Sequence, residues 1–82
     1  MILVDVYVPA IDDHYDFMLD ENEMADKIIL EIAEMVAKKT KSGKVEYPEK
    51  FILFSMEKKE AVKRGRTLYE CGIKDGSSML LV

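Results

Sequence analysis

Cys71 is the one thiol of the chain and His14 its one imidazole, so nucleophilic or proton-transfer chemistry has two natural candidates. They lie far apart in sequence. Next to Cys71 stands Glu70, and a neighbouring carboxylate raises a thiol's pKa rather than lowering it. That setting points to an inert cysteine buried at a corner of the fold. Asp12, Asp13, His14 and Asp16 could be imagined around a metal ion. A calcium loop needs a longer set of oxygen ligands with a defining glycine, and zinc sites want more His or Cys. The stretch reads instead as a solvated hairpin turn. Lys58, Lys59, Lys63, Arg64 and Arg66 form a local basic cluster, either a holder for an acidic partner or plain solvated loop charge. Aromatic residues do not interleave with it, which weakens a nucleic-acid reading. No catalytic residue, metal or cofactor is therefore expected, and the chain is read as a non-enzyme.

The elements that must position any remaining site follow from periodicity. In residues 2–8, Ile2, Val4, Val6 and Val8 alternate with Leu3, Asp5 and Tyr7, which is a strand with one apolar face. Pro9 and the Asp12-Asp13 pair make a turn. Tyr15, Phe17 and Leu19 alternate with Asp16, Met18 and Asp20, a second strand in an antiparallel hairpin. A helix of about 17 residues is predicted within 22–40, from the helical recurrence of Met24, Ile28, Ile32, Met35 and Val36 with support from Ile29. Asp20 and Glu23 have capping-box spacing, and Asn22 is an alternative cap. Acidic residues crowd the helix start, and Lys38, Lys39 and Lys41 crowd its end, as the helix dipole favours. Ser42-Gly43 stops it. A loop over 41–50 follows, tacked down by Tyr47 and Pro48. Phe51 to Met56 is a third strand, Ala61-Val62 a short fourth, Thr67 to Tyr69 a helical turn, and Ser78 to Val82 the last strand.

Composition bounds the function. Eighty-two residues with 49% hydrophobic and 34% charged residues suit a single globular domain, 1–82, with one core. A net charge of -4 disfavours nucleic-acid backbones and anionic membrane surfaces. No apolar run reaches the roughly 18 residues that cross a bilayer, so no membrane insertion is expected. The first residues lack the features of a secretory signal, and one cysteine forms no internal disulfide. These point to the cytoplasm.

Two strands, a helix and then more strands form an α+β pattern. The β-grasp architecture satisfies it, with the first and last strands parallel in the centre of a mixed four- to five-stranded sheet and the helix across one face. At the end of the chain, Gly65-Arg66-Thr67-Leu68 and Ile73 followed by Ser77 to Val82 resemble the matching segment of ubiquitin. Leu68-Tyr69-Glu70-Cys71-Gly72-Ile73-Lys74-Asp75-Gly76 more specifically resembles the YukD family of small bacterial ubiquitin-like proteins linked to type VII secretion. The match spans the chain, but its strong part is about the last fifteen residues. The resemblance implies a ubiquitin-like fold with Cys71 filling a corner, and a cytosolic accessory role peripheral to a membrane secretion complex. It also implies no conjugation. The chain ends Met79-Leu80-Leu81-Val82, where a C-terminally activated carrier or modifier needs a flexible Gly-Gly tail. The longer loop from Glu57 to Arg64 and the more apolar third strand depart from ubiquitin.

The helix covers one sheet face only. If Ile2, Val4, Val6, Tyr15, Phe17 and Leu19 face it, then Leu3, Tyr7 and Met18 face away. In the last strand Met79 and Leu81 are core, with Leu80 and Val82 outward. The third strand adds either Ile52 and Phe54 or Phe51 and Leu53, and alternation does not choose between them. The candidate partner-binding face is Leu3, Tyr7, Met18, Phe54, Leu80 and Val82. A contiguous apolar patch of this kind marks a partner surface, for a secretion component or for a second copy in a homo-oligomer.

Overall fold

The computed structural model describes residues 1–39 and 50–82. Strands β1 (Ile2–Val8) and β2 (Asp13–Leu19) form the expected hairpin, with Val4 opposite Phe17 and Val6 opposite Tyr15. A 3₁₀ turn, Pro9–Ile11, connects them, and Asp12 closes it in the left-handed region at φ 49°. Aspartate tolerates that region better than most residues, which explains the choice at this position. The second strand begins at Asp13, two residues before Tyr15, because pairing with Val8 extends it.

Helix α1 (Ala25–Lys39) follows, then β3 (Leu53–Ser55), β4 (Glu60–Ala61) and β5 (Ser78–Leu81). The strand order is β2-β1-β5-β3-β4. Parallel pairing of β1 with β5 places the first and last strands in the centre, and all other pairs are antiparallel. This is the ubiquitin-like β-grasp, a mixed sheet with one main helix.

Alternation decides the faces. Ile2, Val4, Val6, Val8, Phe17, Leu19, Leu53, Met79 and Leu81 are buried on the helix side, where they meet Ile28, Ile29, Ile32 and Val36. Each such aliphatic side chain contributes about 1.5–3 kcal/mol on leaving water. Ala25, Ala33 and Ala37 are also buried and let the helix lie close to the sheet. Met24 and Met35, expected in the apolar stripe, are exposed instead, because the buried stripe is centred on the isoleucines.

The helix start also differs from expectation. Asp20 accepts a hydrogen bond from the Asn22 amide at 2.9 Å and makes a local turn rather than a helix cap. The amide of Ala25, the first helical residue, donates to the Arg66 carbonyl at 2.8 Å, and Met24 bridges Thr67. A distant backbone segment thus takes the place of the side-chain cap. The helix stop at Ser42-Gly43 and the tacking by Tyr47 and Pro48 lie outside the described residues.

The third strand carries apolar residues on both faces, but its buried side also takes a serine. Ser55 is buried beside Leu53, and its Oγ accepts from the Lys58 amide at 3.2 Å, so its burial leaves no unmet polar group. Phe51 packs half-buried on the core, outside β3. The fourth strand falls on Glu60–Ala61, with Val62 buried just beyond it.

The closing segment is built from two local motifs. Thr67 and Glu70 form a reciprocal capping box: the Glu70 amide donates to Thr67 Oγ1 at 3.1 Å, and the Thr67 amide donates to Glu70 Oε1 at 3.0 Å. The turn ends at Gly72, φ 75°, with Ile73 donating to the Leu68 carbonyl and Gly72 to that of Tyr69, a Schellman arrangement. Leu68 and Ile73 are thereby pressed into the core.

Candidate functional site

The side of the sheet away from the helix carries Leu3, Asp5 and Tyr7 from β1, His14, Asp16 and Met18 from β2, and Ser78 and Leu80 from β5. Of the two possible sets on the third strand, the structure turns Phe54 and Ile52 outward, since Leu53 and Ser55 are buried. Met56 shares the outward parity. Ile52 and Val82 bind each other through two backbone hydrogen bonds, 2.7 and 2.9 Å, which extend the β3–β5 ladder past its assigned ends. Val82 is thus tied into the sheet, as expected, with its side chain 52% exposed.

Register sorts these residues into rows. His14 is opposite Tyr7, Tyr7 is beside Leu80, and Leu80 is opposite Phe54. One row therefore runs across four strands, with Ile52 and Val82 next to it. Asp16 is opposite Asp5, and Asp5 is beside Ser78. The Glu57 carboxylate receives the Ser78 amide at 2.9 and 3.1 Å, which fixes a third acid in this second row. Met18 is opposite Leu3 beyond it.

The six sequence candidates do not form one patch. Tyr7, Phe54, Leu80 and Val82 come together, while Leu3 and Met18 make a separate pair behind the acidic row. Strand alternation predicts the face of each residue but carries no information on which residues stand opposite each other. Ile52 and Met56, at 49% and 48% exposure, belong with the larger group, and their parity with Phe54 was the signal for them.

Hydrogen bonds hold the face in shape. Tyr7 donates its hydroxyl to Asp12 Oδ1 at 2.7 Å, and this bond holds the phenol above its ordinary pKa of 10.0. The His14 ring stacks on Tyr7 with centroids 4.6 Å apart, and its Nδ1 lies 3.2 Å from Asp5 Oδ2. The Lys74–Ser77 turn is clamped to β1: the Leu3 amide donates to Asp75 Oδ1 at 2.8 Å, and the Gly76 amide donates to the Leu3 carbonyl at 2.7 Å. Gly76 has φ 87°, which L side chains adopt only with strain, so glycine is needed at this clamp. Between β1 and the end of β3 lies a groove of about 450 Å³, lined by Asp5, Tyr7, His14, Met56, Glu57 and Leu80 among others.

The other candidates are dispersed. Asp12, Asp13, His14 and Asp16 do not converge, and among the described residues no group of three or more such side chains is placed to hold a metal ion. Cys71 is half-buried rather than buried, with its Sγ 3.9 Å from the Lys63 carbonyl. The basic cluster splits. Arg64 donates to the Phe51 carbonyl at 2.5 Å, a structural contact, while Lys58, Lys63 and Arg66 line a cleft of about 270 Å³ beside Cys71 and Gly72. No helix among the described residues is long and apolar enough to cross a membrane.

This architecture is the ubiquitin-like β-grasp fold. Among solved structures, the chain is similar to the N-terminal ubiquitin-like domain of the 4931431F19Rik protein, determined in solution, with a TM-score of 0.71 and 22% identity over 99% of this chain and 72% of that one. No protein-family model and no curated protein matches the sequence.

Proposed function

We propose that the protein is a non-enzymatic interaction module that docks a protein partner on its open sheet face, through Tyr7, Phe54, Leu80 and Val82, with Leu3 and Met18 as a lesser second contact. The observation that carries this reading is the Tyr7–Leu80–Phe54 row, which aligns large apolar side chains across three central strands on the side without a helix. The three side chains of the row are half-buried, with the exposed Ile52, Met56 and Val82 beside them, and a contiguous apolar patch of this kind rimmed by polar groups is the signature of a contact surface. The resemblance of the Leu68–Gly76 segment to YukD proteins extends the reading to a cytosolic accessory of a type VII secretion system. On that extension the partner is a component of the secretion machine.

Leu80→Glu tests both levels. The variant keeps its fold, because Leu80 is half-buried and points away from the core. Tagged wild-type protein is purified from its native cells beside the variant. The expected result is a partner retained by the wild type and lost by the variant, identified by mass spectrometry as a secretion component. Equal retention by the two forms removes the sheet face as the docking site. A different partner, lost in the same way, keeps the module and removes the secretion role.

A further inference from the structure

We infer that the partner of the open sheet face is a cationic segment, a large apolar side chain flanked by lysine or arginine, which fills the groove beside Leu80 and pairs its charges with Asp5, Asp16 and Glu57. This rests on the docking face proposed above and specifies the chemistry of its occupant. The first observation is the placement of charge. The chain has 12 lysines and arginines, yet among the described residues none lies in a strand. Among the described residues Lys27, Lys38 and Lys39 sit on the helix, and Lys58, Lys63 and Arg66 gather at the separate cleft beside Gly72.

The second observation is the geometry of the acids. Asp5 and Asp16 stand directly opposite each other on adjacent strands, an arrangement that costs stability through like-charge repulsion. Beside them His14 Nδ1 lies 3.2 Å from Asp5 Oδ2. Glu57 is held at the other wall of the same groove by the Ser78 amide. Carboxylates on two walls and Leu80 with Met56 between them match a partner of alternating cationic and apolar character. An acidic partner meets repulsion at the same place, so the charges also select against it.

The test uses the full chain and three synthetic peptides: leucine set between lysines, leucine between glutamates, and leucine between serines. Binding is followed by amide chemical-shift changes. The lysine peptide is expected to shift Asp5, Tyr7, Ser78 and Leu80, to bind at least roughly fivefold more tightly than the serine peptide, and to weaken with added salt. Asp5→Asn with Glu57→Gln, which retains the hydrogen-bonding shapes, is expected to weaken it by a similar factor. Lys63→Glu, at the other corner, leaves it unchanged. Equal binding of the serine and lysine peptides at these residues overturns the inference and leaves the apolar docking face standing. Preference for the glutamate peptide, shifts centred on Lys58 and Lys63, or no shift with any peptide also overturn it. Shifts on simple dilution of the protein, with loss of light-scattering mass, name a second copy as the occupant and overturn it too.

Discussion

At the scale of single residues, the open face is set by a few polar contacts. Tyr7 is held by Asp12, whose hydrogen bond favours the neutral phenol. Because its folded pKa lies above the ordinary 10.0, the contribution of this contact is present below that value and is lost as pH rises through the higher folded one. Replacing Asp12 with Ala is expected to bring the Tyr7 titration down towards 10.0, followed by ring NMR shifts against pH. An unchanged titration contradicts the assignment. Glu70 shows the opposite case. The Thr67 amide favours its carboxylate and holds its pKa below 4.5, so its contribution is present above that value and is lost as pH falls through the folded one. Thr67→Ala removes the partner cap, and urea unfolding is expected to show a loss of about 1 kcal/mol. The Thr67-x-x-Glu70 signature stands in the sequence in the same form as Asp20-x-x-Glu23, yet only the former becomes a capping box. Local spacing alone does not distinguish them, because the α1 start is satisfied by the Arg66 carbonyl, more than forty residues away.

Among the elements, periodicity was a good guide wherever burial is one-sided. The alternation of β1 and β2 and the outward Leu80 follow directly from it, since a one-residue slip would turn Val4, Val6 and Phe17 into water. It failed where both faces read as apolar. Phe51 to Met56 offers two possible sets, and only pairing of Phe54 with Leu80 decides between them. The buried helix stripe is narrower than the spacing predicts, because Met24 and Met35 have helical spacing but sit at its margins. Ile32 is at its centre and fully buried, with sheet side chains below it. Ile32→Ala is expected to cost about 2–5 kcal/mol in chemical denaturation. A cost below about 1 kcal/mol, the level of a surface change, contradicts the placement of α1 on the sheet.

For the whole molecule, two long-range features were invisible in the sequence. One is the clamp of Asp75 and Gly76 on Leu3, which joins the end of the chain to its beginning. The other is the division of the outward apolar residues by the Asp16–Asp5–Ser78 row, which depends on the register of three strands at once. The proposed function stands on the larger of the resulting groups. Its most direct test is site-specific photo-crosslinking in native cells, with the reactive group placed at position 80 on the open face and, in a second protein, at position 30 on the exposed side of α1. The account predicts one defined protein adduct from position 80 and none of that mass from position 30. An adduct formed only from position 30, or none from position 80 in a folded protein, contradicts it.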